Sequence, residues 1–183
     1  IQDTKGNWYI DLDSNYSATN LGMDNPEIAR GLYNQAQLLI SMKEDRVQIA
    51  RTRFLKEITG MMPKGLTYFY WQNSGGEAVD KALKIAKAYT ISKQVIAFKN
   101  GFHGRTHGAV SVTWNESYRK PFHLNNEDWV HFATFNDIES VKKLVEETGA
   151  KIIIMEMVQG EEAGNLPADP DFIKQLWDLK KEK

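Results

Sequence analysis

The chain has 183 residues and 42% hydrophobic content, enough to bury a sizeable core as one domain or as part of a larger one. Its 23 basic and 24 acidic residues leave a formal charge of -1, without the basic stripe that nucleic acid or an anionic membrane demands. The absence of cysteine excludes disulfides, thiol nucleophiles and cysteine-ligated metal, and makes the cytoplasm the default compartment.

In chain order, Lys5-Gly6-Asn7 reads as a turn leading into a strand over 8–12. Helical periodicity covers 26–40 and 45–59. The aromatic run TYFYWQ (67–72) reads as a buried strand rather than an interaction surface, and is followed by a helix over 76–89. Strands are expected at 94–99 and 129–135. Between them lies the glycine-broken NGFHGRTHGAVSVT. NDIESVKKLVEE starts with a capping-box pattern, Asn136 with Glu139, and the strand KIIIMEMV (151–158) follows. That aliphatic stretch is too short to span a bilayer and carries Glu156 in its middle, and no signal peptide is visible. The last helix opens with Asp169 as cap and Pro170 in its first turn, and runs through Lys183 without a stop signal. With no initiator methionine at the start, both ends read as cut.

Alternating strands and helices with continuous apolar strands predict an α/β fold: a largely parallel sheet with helices on both faces. The rhythm is absent before Leu66, so residues 1–65 are expected to form a separate, smaller unit or arm and 66–183 the α/β unit.

Three loops at strand ends carry the chemistry. Ser74-Gly75-Gly76-Glu77 is a capping box whose Val79, Leu83, Ala86 and Tyr89 form an apolar face, with Asp80, Lys81, Lys84 and Lys87 toward water. Its glycines either ease a strand-to-helix bend or open the helix amides to an anion such as a phosphate. It is neither a P-loop nor a dinucleotide fingerprint. Phe102, between Gly101 and Gly104 and followed by His103 and Arg105, sits at the next strand end. Glu156, Gln159 and Glu161 sit at another, so the three loops should converge on one crevice. His103 and His107 stand four apart, but the glycines around them and the lack of a third ligand argue against a metal site.

NSGGEAVDKALKIAKAYT, FHGRTHGAVSVT and EMVQGEEAGNLPADPDFIKQL resemble the class III, or ω-amino acid, pyridoxal-phosphate-dependent aminotransferases of fold type I. DTKGNWYIDL and NLGMDNPEI resemble that family's amino-terminal arm. The resemblance covers nearly the whole chain. It implies a homodimer with pyridoxal 5'-phosphate near the subunit interface and a mixed seven-stranded sheet. Residues 1–65 would be the arm and small-domain segment, and 66–183 the first part of the large domain.

The resemblance further puts Ser74, Gly75 and Gly76 at the cofactor phosphate and Phe102 against the pyridine ring. It places His103 and Glu156 in the cofactor pocket, Arg105 as a local anchor, and Glu161 opposite a mobile arginine that meets the substrate. Without the family, Phe102 reads as core and Glu161 and Glu162 as solvated loop charges. The chain departs from the family at Gly76, often Thr, Ser or Ala, at Met157, usually Pro, and at Asn25, often His. The pyridinium-binding aspartate and the Schiff-base lysine are implied to lie downstream. No catalytic residue is therefore expected in this chain, which would be inactive alone, whereas the complete enzyme would move an amino group from an ω-amino acid of the 4-aminobutyrate or acetylornithine type to a 2-oxo acid. A non-enzymatic module, or another phosphate-ligand-binding α/β module, is the alternative.

Overall fold

The computed structural model describes residues 1–43, 45–125 and 127–182. The chain divides into two units, Ile1–Tyr68 and Phe69–Lys183.

In the first unit the expected strand over 8–12 is reduced to an isolated antiparallel bridge, Gln2 with Trp8. Asp3 is the reason: its carboxylate accepts from the Lys5 and Asn7 amides, both at 2.9 Å, and curls the chain into a closed turn at Gly6. A left-handed turn, α1 (Ser14–Ser17), follows. Helix α2 (Pro26–Leu38) starts where Asn25 Oδ1 accepts from the Glu27 and Ile28 amides, with Pro26 in the first turn, where its missing N–H costs nothing. Helix α3 (Ile49–Thr59) begins four residues later than the periodicity predicts. Asp45 is tied to Lys43 and Arg46 in a local turn, and Gln48 is the cap instead.

The second unit is built around three parallel strands in the order β2-β1-β3. They are β1 (Val95–Phe98), β2 (Val130–Ala133) and β3 (Ile152–Ile153). Every residue of β1 is buried, as the central strand of a two-sided parallel sheet should be. Side chains alternate between its faces. Ile96 and Phe98 join Val141 of α7 (Ile138–Thr148) and Phe172 and Leu179 of α8 (Pro170–Glu182). Val95 and Ala97 join Leu83 of α4 (Gly75–Thr90), with Val112 at the end of α5 (His107–Ser111), which the short α6 (Glu116–Arg119) follows. Phe98 meets Phe135 and Phe172 edge-on at 5.7 and 5.8 Å between centroids, which fixes the seating of α8. The predicted parallel sheet with helices on both faces is thus present in part, as the three strands that this stretch of sequence supplies.

Four local expectations are corrected. Residues 67–72 form no strand: none of the described strands pairs with them, and Tyr68 is 91% exposed. Strand 151–158 is broken, because after Ile154, whose amide still bonds the Ile96 carbonyl, the chain leaves the sheet and β4 (Val158–Gln159) pairs antiparallel with β5 (Leu166–Pro167). Asn136 is not the α7 cap, since its backbone is left-handed (φ 61°). Asp137 caps instead, and the Asn136 side chain bonds the Pro167 carbonyl and the Asp169 amide. On α4, Tyr89 is exposed rather than core, while Lys87 lies 3.3 Å from the Trp129 ring centroid and Lys81 5.1 Å from that of Tyr70, so two lysines expected in water cover aromatic rings. Helix α8 is described to Glu182, and the expectation at Lys183 lies outside the described residues. No described helix is long and apolar enough to cross a membrane.

Candidate active site

The site grows from the amino end of α4. Ser74 is extended (φ -143°) and its Oγ accepts from the Glu77 amide at 3.2 Å, while its carbonyl accepts from the Ala78 amide. The Glu77 carboxylate returns to the Asn73 amide at 2.8 Å, one residue before the position that the capping box predicts. The amides of Gly75 and Gly76, in the first helical turn, have no protein acceptor among the described residues.

The two glycines differ in what surrounds them. A Cβ on Gly75 would meet nothing within 4 Å, so the space beside Gly75 is open. One on Gly76 would lie 3.1 Å from Thr106 Oγ1, a buried hydroxyl without a hydrogen-bond partner. Gly104, in the left-handed region (φ 129°), presses against the same place: a Cβ there would be 2.8 Å from the Gly76 Cα. The missing side chain at 76 therefore also lets α4 pack on the loop that follows β1.

That loop presents Phe102. Its ring is half-buried and meets Tyr118 edge-on at 5.8 Å between centroids, with the Arg105 guanidinium 5.4 Å from the Tyr118 ring. The Phe102 amide donates to Glu156 Oε2 at 2.9 Å, and the His103 amide to Thr113 Oγ1 at 3.0 Å. His103 Nε2 is buried without a partner, and burial pulls the imidazole down to about 4, so it is neutral near pH 7. Gln159, 1% exposed, donates from Nε2 to the Lys99 carbonyl at 2.9 Å, and its Oε1 has no partner.

Beyond Gln159 the hairpin turns over 160–165, closed by the Asn165 amide on the Gly160 carbonyl. Glu161 is exposed on this turn, while Glu162 accepts from Asn115 Nδ2 at 3.0 Å and is not a free loop charge. The three loops singled out in the sequence thus meet: the α4 start touches Gly104 and Thr106, and the 99–103 backbone is held by Glu156 and Gln159. Thr106 and Thr113 carry no sequence signal that would have marked them, being common residues in a glycine-rich loop.

The class-III aminotransferase profile matches residues 1–183. The chain belongs to the class-III aminotransferases. It is 39% identical over 176 residues to the LysW-aminoadipate semialdehyde/glutamate semialdehyde transaminase of Sulfurisphaera tokodaii, covering 96% of this chain and 44% of that protein. It is 39% identical over 183 residues to the acetylornithine aminotransferase of Archaeoglobus fulgidus, covering 98% and 47%. A transaminase from the marine bacterium Virgibacillus superposes with a TM-score of 0.89 at 21% identity over 99% of this chain and 44% of that one. The ornithine aminotransferase of Toxoplasma gondii gives 0.77 at 24% identity over 99% and 44%. These superpositions show the fold, part of the fold-type-I transaminase sheet. The chain spans less than half the length of the relatives that it matches.

The residues present fit a phosphorylated, planar cofactor. Two unclaimed amides and open space beside Gly75 suit a phosphate at a helix start, and a half-buried aromatic stands on the adjoining loop.

Proposed function

We propose that the full-length protein is a pyridoxal-phosphate-dependent aminotransferase that moves an amino group from an ω-amino acid, of the 4-aminobutyrate or acetylornithine type, to a 2-oxo acid. The observation that carries the reading is the open α4 start, Ser74 to Gly76, beside the loop that bears Phe102, in a chain of this family. Relatives named for acetylornithine and for semialdehydes of aminoadipate and glutamate support the substrate class.

When bound, pyridoxal phosphate supplies an electron-withdrawing ring that stabilises negative charge at the carbon bearing the amine. This chain's residues would hold it in place. The Gly75 and Gly76 amides and the Ser74 hydroxyl would bind the phosphate, helped by the α4 dipole. Phe102 would cover one ring face and keep water away. Glu156 and the neutral imidazole of His103 would line the pocket without placing a cation beside the ring. Glu161, exposed on the hairpin turn, would pair with an arginine from the rest of the protein when the substrate presents no α-carboxylate. Residues 1–65 would serve as arm and small-domain segment and 66–183 as the first part of the large domain of a cytoplasmic homodimer, with the aspartate and lysine that complete the site supplied downstream.

Visible absorbance of the purified full-length protein, followed by a screen of amino donors, tests the reading. A cofactor band that bleaches with an ω-amino donor is expected. A colourless protein that pyridoxal phosphate does not colour would instead favour a non-enzymatic or other phosphate-ligand-binding module.

A further inference from the structure

We propose that Glu156 and Gln159 are positioning residues, which hold the backbone carrying Phe102 from the opposite side of the site and so set the plane of its ring. The proposal rests on the cofactor reading above.

The turn after β1 is poorly equipped to hold itself. Asn100 is left-handed (φ 61°), and the Gly101 amide bonds the Phe98 carbonyl at 3.0 Å. A Cβ on Gly101 would lie 3.0 Å from that same carbonyl, so no side chain can stiffen the bend from within. The other restraints come from elsewhere: the Trp114 amide bonds the Gly101 carbonyl at 2.9 Å, and two distant side chains hold the rest. Gln159 Nε2 donates to the Lys99 carbonyl and Glu156 Oε2 accepts from the Phe102 amide, each at 2.9 Å, so the two side chains grip the turn at both ends. Each is a side-chain to backbone bond across more than fifty residues of sequence. Of the side chains on this turn, Asn100 is exposed, and Phe102, just past the second grip, is half-buried with its edge toward Tyr118.

The region behind the turn is polar and buried. His103 Nε2 and Gln159 Nε2 lie 3.3 and 3.8 Å from the place of a Gly101 Cβ, and His103 Nε2 and Gln159 Oε1 are both buried without partners. Losing the Glu156 acceptor would leave the Phe102 amide without a partner in this half-buried place, and the turn would relax toward another conformation. Glu156 therefore acts through Phe102: one of its oxygens is committed to the amide, and its worth to the cofactor lies in where the ring is held.

The test compares Glu156→Ala, Glu156→Gln, Phe102→Ala and the Glu156→Ala/Phe102→Ala double variant in the full-length protein. Two readouts are taken: hydrogen exchange of the 101–103 amides without cofactor, and the dissociation constant of pyridoxal phosphate from its absorbance. Glu156→Ala should speed exchange at Phe102 and weaken cofactor binding by about tenfold, the effect of one hydrogen bond to a charged group. Glu156→Gln, which keeps an acceptor oxygen, should restore both. The double variant should bind no more weakly than the weaker single variant, since the two residues act in series. Unchanged exchange in Glu156→Ala overturns the clamp. Full additivity, with Glu156→Gln as impaired as Glu156→Ala, overturns it in favour of a carboxylate that touches the cofactor directly. Wild-type cofactor affinity in Phe102→Ala removes the ring contact and this proposal with it, whereas a wild-type protein that takes up no pyridoxal phosphate removes the cofactor reading itself. Should Glu156→Ala fail to fold, Gln159→Met deletes the bond to Lys99 and carries the same comparison.

Discussion

Gly104 and Gly76 touch through their backbones: a Cβ on Gly104 would stand 2.8 Å from the Gly76 Cα. Gly104 is also held at φ 129°, where side chains are disfavoured. Gly104→Ala should therefore destabilise the fold by on the order of 3 kcal/mol, through strain and a forced separation of α4 from the loop. Denaturant unfolding of the full-length variant measures it, and wild-type stability would contradict the packing argument.

Gly75 offers a cleaner probe of the phosphate site than Gly76. A new side chain at 75 meets open space, whereas one at 76 meets Thr106, so any loss there mixes packing with chemistry. Gly75→Asp also favours helix formation, because a negative charge suits a first turn. The expected result is unchanged stability with cofactor affinity lowered at least tenfold by like-charge repulsion against the phosphate. Equal affinity in wild type and variant, from a cofactor titration, would place the phosphate elsewhere.

Phe102→Ala should loosen the cofactor and slow turnover while the fold survives, since the ring is half-buried and outside both core clusters. Stacking beyond area burial is worth about 0.5–1.5 kcal/mol, or up to roughly tenfold in affinity. Cofactor retention and rate at wild-type levels would leave Phe102 as a packing residue against Tyr118.

Burial of His103 makes a prediction about pH. The imidazole titrates near 4 in the folded protein against an ordinary value of 6.5, so the unfolded chain holds more protons between those limits. The stability that His103 allows is complete above about pH 6.5, falls as pH drops from there toward 4, and is flat below. The loss is on the order of 3 kcal/mol. Comparing the pH dependence of unfolding in wild type and His103→Gln checks it, and an unchanged slope between pH 6.5 and 4 would assign the loss to other groups.

Glu161→Ala in the full-length enzyme should favour the half-reaction with an α-carboxylate substrate and penalise the one with an ω-amino donor, because the arginine would no longer be neutralised. Single-turnover rates for the two half-reactions make the comparison. Equal effects on both would reduce Glu161 to a solvated charge.

Much of this was legible in the sequence, where local chemistry decides the outcome. Ser74 with Glu77 announces one helix start and the periodicity from Pro26 another, and both helices begin where expected. Val95 to Phe98 reads as a doubly buried strand and is one. Illegible features depend on distant partners. Tyr68 to Trp71 have strand composition, yet a strand exists only with a neighbour to bond. The capping role of Asn136 passes to Asp137 because the chain must turn left-handed at 136 to reach Pro167 and Asp169. The bonds of Glu156 and Gln159 go to backbone groups, which look the same beneath every side chain, so no residue pattern could reveal them.

The strand order β2-β1-β3 also bears on how the chain is made. On the ribosome the central strand emerges first and both of its edges stand open until β2, and later β3, have been synthesised. Before β2 emerges, α4 and then Val112 can cover one apolar face, while the other waits for α7 and α8. The nascent chain therefore passes through a stage with an unpaired, fully apolar strand, the species that chaperones recognise. Pauses in translation that hold β1 outside the exit tunnel while β3 is still inside should raise aggregation more than pauses after β3 has emerged, when both edges of β1 are closed.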